Sequence, residues 1–151
     1  MKGVVVYHSR FGNSRQIAEA IANGLSEEGH EVTVVPVADA KPEESMDFAV
    51  VGGSTRAARA SGKTKRFAVG FAKCCPGRPF ATFSTGASVA RKPNTQASER
   101  LYETLSENGA VPLVAPFIAG VTNMKGPLIE GEVERAYAFG QELGVKLKEK
   151  A

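Results

Sequence analysis

The chain has no tryptophan, and Phe, Tyr and Trp together make 7% of its 151 residues, so there is little flat aromatic surface for stacking on bases. Its basic residues are not interleaved with aromatics as in single-strand readers, and no helix-turn-helix or zinc signature occurs, which sets nucleic acid aside as a partner. Cysteine is confined to the adjacent pair Cys74 and Cys75. Neighbours in sequence cannot bridge without straining the peptide between them, so a disulfide framework and a Cys-x-x-Cys redox pair are both excluded. The long uncharged stretches Pro79–Ala90 and Gly109–Met124 are broken by Pro, Gly, Ser, Thr or Asn. Neither has the roughly 20 apolar residues of a membrane-spanning helix. His8 and His30 lack a second ligand at metal-binding spacing. Ser9, Ser54 and Ser84 lack the Gly-x-Ser-x-Gly elbow of a serine hydrolase. The start, Met1–His8, turns polar too soon for a secretory signal. One domain over residues 1–151, cytoplasmic and without a membrane partner, is the expectation.

One further absence is local. From Phe48 to Ser98 there is no Asp or Glu, and the span carries nine basic residues against a net charge of +3 for the chain. This is either a solvated basic face or a surface for something anionic: a phosphate, a dinucleotide or an acidic protein.

The apolar pattern alternates between short runs and helical stretches. Val4–Tyr7, Val32–Val35, Phe48–Val51 and Pro79–Phe83 read as strands, and Val111–Ile118 as an irregular edge strand broken by Pro112 and Pro116. Ile17, Ala18, Ile21, Ala22 and Leu25 recur at helical spacing up to a stop at Gly29. Ala38–Met46 allows one or two helical turns. Lys65–Lys73 reads as a short helix with Phe67 and Phe71 on one face. Another helix runs from a cap at Asn94 or Thr95 to Asn108, with Leu101, Tyr102 and Leu105 inward. The last spans Glu130–Lys150, with Val133, Ala136, Tyr137, Gly140, Leu143 and Leu147 inward. Gly52–Lys63 and Ser84–Pro93 read as loops. Strands alternating with helices imply an α/β fold, a doubly wound five-stranded parallel sheet with helices on both faces. Ligands of such sheets sit outside the carboxyl ends of the strands, which directs attention to the loops after strands one, three and four.

The first loop reads Ser9-Arg10-Phe11-Gly12-Asn13-Ser14 and opens a helix capped by Asn13 or Ser14. Two hydroxyls, a glycine and exposed helix-start amides make an anion site; an ordinary capped turn has the same composition. The third loop carries Gly52-Gly53-Ser54-Thr55-Arg56, and the fourth Ser84-Thr85-Gly86-Ala87. Ala57–Thr64 also fits the relaxed Gly-Lys-Thr nucleotide-loop pattern. No strand leads directly into it, and no later strand ends in Asp to hold Mg²⁺, so an NTPase is set aside.

With its Ser/Thr-x-x-Gly-x-Ser/Thr loop intact from Ser9 to Ser14, and Gly126–Glu132 leading into the last helix, nearly the whole chain resembles a flavodoxin. The resemblance implies strand order 2-1-3-4-5 with FMN at the switch point, an order known for flavodoxins and inherited here. It implies FMN-phosphate contacts at Ser9, Arg10, Phe11, Gly12, Asn13 and Ser14. It implies ring contacts at Ser54, Thr55, Arg56, Ser84, Thr85, Gly86 and Ala87. The family's Gly-x-Ser-Thr-Trp has Arg56 in place of Trp, and no aromatic occurs between Phe83 and Tyr102, so both customary ring stackers are missing. Arg56 can lie over the ring instead. No catalytic side chain is expected, since the flavin supplies the chemistry. The implied role is one- or two-electron carriage to a partner protein with an acidic docking face. The alternatives are an NAD(P)H-dependent FMN reductase of a quinone or porphyrin-type acceptor, and a flavodoxin-fold module that has lost FMN.

Overall fold

Strand β1 (Lys2–His8) pairs in parallel on one side with β2 (Glu31–Pro36) and on the other with β3 (Phe48–Ser54). β4 (Pro79–Ala87) follows β3, giving the order β2-β1-β3-β4. The fifth position is shared by two segments, both parallel to β4. β5 (Val111–Pro112) lies beside Pro79 and Phe80, and β6 (Phe117–Val121) beside Phe83–Ala87. Pro112 and Pro116, which have no N–H for the ladder, account for the interruption. The sheet order 2-1-3-4-5 is therefore the one the resemblance implied. The computed structural model describes residues 1–56, 59–87, 96–123 and 125–150.

Helices α1 (Asn13–Glu27) and α4 (Glu132–Lys150) cover one face of the sheet; α2 (Gly62–Cys74) and α3 (Ala97–Glu107) cover the other. Successive strand residues point to opposite faces, and here both faces are buried, so the strands read as unbroken apolar runs. Val5, Val50 and Phe83 pack under Ile17, Ile21, Leu143 and Leu147. Val4, Val6, Val51 and Phe80 pack under Phe67, Phe71, Leu101 and Leu105. α1 and α4 touch backbone to backbone. A Cβ on Gly140 would stand 2.2 Å from the Ile21 carbonyl oxygen, and one on Gly24 would stand 2.3 Å from that of Tyr137.

Several sequence expectations need correction. Gly52–Ser54 and Ser84–Ala87 are strand, not loop: the registers Ser54↔Thr85 and Ala87↔Val121 extend the sheet through them. Gly, Ser and Thr disguise a strand that is held by its neighbours rather than by propensity. Between β2 and β3 only Val37–Asp39 forms a turn of 3-10 helix. The N-cap of α1 is Gly12, at φ +87°, rather than Asn13 or Ser14. α3 is capped by Gln96 in a reciprocal box with Glu99, while the expected caps Asn94 and Thr95 and the loop segment Ser88–Pro93 lie outside the described residues. On α4, Val133 faces solvent, and Phe139 and Gly144 join the buried side.

The outer edge of β6 is closed by the start of α4. The Gly120 N–H donates to Glu132 Oε2 at 2.6 Å, its carbonyl accepts from the Ile129 N–H at 2.9 Å, and Arg135 donates to the Ile118 carbonyl. At the other end of the molecule Cys75 is buried, with its S–H toward the Glu43 carbonyl at 3.2 Å. Burial, and then the hydrogen bond with Cys74, push its thiol up to about 11, so it is a poor nucleophile at neutral pH. Among the described residues no helix is long and apolar enough to cross a membrane.

Candidate functional site

At the carboxyl ends of β1, β3, β4 and β6 the sheet opens into a cleft of about 350 Å³. This is within the range of roughly 300–1,000 Å³ usual for small-molecule sites. Its walls are Arg10 and Phe11 from the loop after β1 with Asn13 at the start of α1, Ser54 at the end of β3 with Thr55 and Arg56 beyond it, and Thr85, Gly86 and Ala87 at the end of β4. His8 and Val121 complete it. Val121 was not anticipated from the sequence, although its place at the end of a strand beside β4 follows from the topology.

The expected residues do different things here. Beneath the cleft, Ser14 is fully buried, and its hydroxyl shares hydrogen bonds with Thr85 Oγ1 at 2.9 Å and Ser54 Oγ at 3.2 Å. This hydroxyl cluster joins the start of α1 to β3 and β4. Ser9 Oγ accepts the Gly12 N–H at 3.0 Å and so closes the loop on itself, while Gly12 supplies the left-handed turn. Among the described residues no side chain caps α1, and the Asn13 and Ser14 N–H groups have no acceptor. Asn13 turns its amide away, donating to the Lys125 carbonyl at 3.2 Å. Ser84 is fully buried and bonds to Ser98 Oγ at 2.7 Å, so its hydroxyl lies under α3 and not in the cleft.

Thr55 works on both sides of its strand end. Its hydroxyl donates to Gln96 Oε1 at 3.1 Å and accepts the Ala97 N–H at 3.0 Å. Gln96 also lies so close to Gly86 that a Cβ there would stand 2.4 Å from its side-chain oxygen. Gln96, which belongs to no motif, thus ties the β4 end of the cleft to α3. Arg56 faces Arg59 across a narrow antiparallel bridge, with main-chain hydrogen bonds of 3.0 and 2.9 Å in the two directions. Phe11 is a large apolar side chain left 42% exposed, with the Arg10 guanidinium 5.3 Å from its ring centre. An aromatic face therefore borders the cleft, supplied by the first loop rather than the third or fourth.

The other motifs are accounted for structurally. Gly62-Lys63-Thr64 opens α2, but Thr64 is fully buried with its hydroxyl 2.6 Å from Ser61 Oγ, and Ala57 and Ala58 lie outside the described residues. The buried Thr64 is spent on the Ser61 cap, unlike the metal-facing hydroxyl of a nucleotide loop. His30 is buried, with Nε2 2.8 Å from the Gly144 carbonyl and its ring edge-on to Phe48. Among the described residues no cluster of three His, Cys, Asp or Glu could hold a metal ion.

Solved structures share this architecture from end to end. A flavodoxin from the domain Archaea superposes with a TM-score of 0.78 at 23% identity, over 98% of this chain and 99% of its own. Flavodoxin 1 from Bacillus cereus gives 0.78 at 23%, over 98% of each chain. A flavodoxin of Streptococcus pneumonia gives 0.77 at 19%, over 97% and 99%. At such identities the likeness establishes the fold. The sequence itself matches the family model described as "Flavodoxin domain" over residues 4–126, a span that includes the loops after β1, β3 and β4. By that match, the chain belongs to the flavodoxin-domain family.

Proposed function

We propose that the cleft binds FMN non-covalently and that the protein carries electrons between redox partners. Family membership supports a general role in electron transfer. The observation that carries the finer reading is the convergence on one cleft of the uncapped start of α1 and the ends of β3 and β4. The residues fit the group: open amides on Asn13 and Ser14 beside the Ser54 hydroxyl suit a phosphate, while Thr55, Arg56, Gly86 and Ala87 with Phe11 suit a flat ring. When bound, FMN supplies the one- or two-electron chemistry. The chain's own residues bind and orient it. Ser14, Ser54 and Thr85 hold the three loops in register, Thr55 and Gln96 fix the β4 side, and Arg56 places positive charge at the rim.

Titration of the purified apoprotein with FMN, followed by quenching of flavin fluorescence, tests this. Saturable one-to-one binding is expected; no binding at high micromolar FMN would leave a flavodoxin-fold module without flavin. Steady oxidation of NAD(P)H by the loaded protein alone would turn the carrier into a reductase.

Among the described residues no Asp or Glu lines the cleft, the exposed Arg10 and Arg56 do, and the exposed Arg59 is bridged to Arg56. A redox partner with an acidic docking face suits this rim. Added salt should therefore slow electron transfer in stopped-flow measurements, because screening weakens the steering between opposite charges. Acceleration by salt would point to an apolar or basic partner.

A further inference from the structure

A second cleft, of about 690 Å³, lies across the Ser9–Ser14 loop from the first, with His8 on the border of both. Its floor is the carboxyl ends of β1 and β2, and its far wall is the first turn of α2. Cations from two helices meet there: Arg15 of α1, and Lys63 and Arg66 of α2. No Asp or Glu is among its lining residues. Arg15 shares its charge with Glu19 at 2.8 Å in an exposed pair, a weak restraint on either side chain. Lys63 and Arg66 have no ion pair among the described residues. A smaller hollow along α2, bordered by the same Lys63 and Arg66, extends the cleft over Pro42.

The α2 start adds donors of fixed direction. Ser61 takes the Thr64 amide with its side chain at 3.1 Å and the Lys65 amide with its carbonyl at 3.0 Å. The amides of Gly62 and Lys63, at the head of a 13-residue helix, have no acceptor in the protein among the described residues. Two side-chain cations and two free amides on one wall face a third cation on the other.

We propose that this cleft is a binding site for the diphosphate group of a small phosphorylated molecule. Lys63, Arg66 and the α2 amides take one phosphoryl group, and Arg15 takes the other. Cations on opposite walls match a diphosphate better than a single phosphate, which either wall alone would satisfy. Pro36, Val37 and Ala38 give the β2 side of the lining an apolar wall for an uncharged organic remainder, with Tyr7 and His8 beside it. Ser9 and Gly12 of the first loop line this cleft as well, so the loop is the wall between the two sites; Arg15, Lys63 and Arg66 line only the second.

The test is an amide chemical-shift titration of the full chain, with and without FMN, using inorganic pyrophosphate and then inorganic phosphate as probes. Pyrophosphate should shift the Gly62 and Lys63 amides saturably, and more tightly than phosphate does. K63Q/R66Q should weaken this by about tenfold or more, the loss expected for removing two charge-assisted donors. Both side chains are exposed, so the variant should keep its melting temperature and its FMN affinity. Shifts confined to Asn13, Ser54 and Thr85, which line only the first cleft, would mean that the probe occupies that cleft, and would overturn the proposal. So would non-saturating shifts, or unchanged pyrophosphate binding by K63Q/R66Q. A failed FMN titration leaves these outcomes readable, because they are scored on α2.

Discussion

Gly140→Ala should lower the stability of the fold by about 3 kcal/mol, near the top of the range for overpacking a close-packed contact. The new methyl would meet the Ile21 carbonyl oxygen at 2.2 Å, the carbonyl carbon at 2.9 Å and the Gly24 Cα at 3.1 Å. All three are backbone atoms of α1, so no side chain can rotate away, and the two helices must separate. Separation would loosen the packing of Ile17, Ile21, Leu143 and Leu147 together. Alanine's better helix propensity returns only about 1 kcal/mol. For a chain of this size each kcal/mol shifts the melting temperature by roughly 2–4 °C, so a fall of about 6–12 °C is expected in a thermal melt followed by circular dichroism. Gly62→Ala is the control: no atom lies within 4 Å of its Cβ position and its φ is not positive. It should change stability by less than about 1 kcal/mol. Equal melting temperatures for the two variants would mean that α1 and α4 are not in backbone contact.

Phe11→Ala should weaken FMN binding by about thirtyfold while leaving the melting temperature nearly unchanged. The side chain is 42% exposed at the mouth of the cleft. Covering part of that face with a ring removes some tens of Å² of apolar surface from water, worth about 1 kcal/mol at roughly 25 cal/mol per Å². An aromatic pair adds about 0.5–1.5 kcal/mol, giving near 2 kcal/mol in all, or about thirtyfold in affinity. Little is lost from the free protein, because exposed substitutions stay within about 0.5 kcal/mol. Phe11→Tyr should restore binding. An unchanged dissociation constant for the alanine variant would mean that the ring lies elsewhere, with Arg56 as the next residue to change.

The two residues show where sequence was informative and where it was not. The loop from Ser9 to Ser14 was legible because motif, preceding strand and following helix coincide. The core was legible because buried parallel strands leave unbroken runs such as Val4–Tyr7 and Phe48–Val51. What was hidden depends on contacts between distant segments. Ser84 reads as a site hydroxyl, but the register of β4 against β3 places it under α3, on Ser98. Gln96 carries no signal of its own, because its role arises where Thr55 and Gly86 meet it from two other strands. In sequence Phe11 is one residue of the phosphate-type loop, and only the cleft shows that its exposed ring borders the space beside Arg56. The third and fourth loops bring no aromatic to the cleft among the described residues; the first brings Phe11.

The closure of β6 by α4 bears on assembly. A parallel sheet ending in a free strand offers unpaired donors and acceptors to any other extended chain, the route to aggregates and fibrils. Here the outermost strand position begins with a proline-broken pair, Val111–Pro112, and continues with a segment whose outward groups are taken by Glu132, Ile129 and Arg135. Strand addition on that side would have to dislodge the start of a helix packed into the core. Growth of the sheet is thereby left to the opposite border, where β2 shows solvent Glu31, Thr33 and the terminal Pro36. A charge at one end and a missing donor at the other make that border a poor template too, so neither side of the sheet invites strand addition by another copy of the chain.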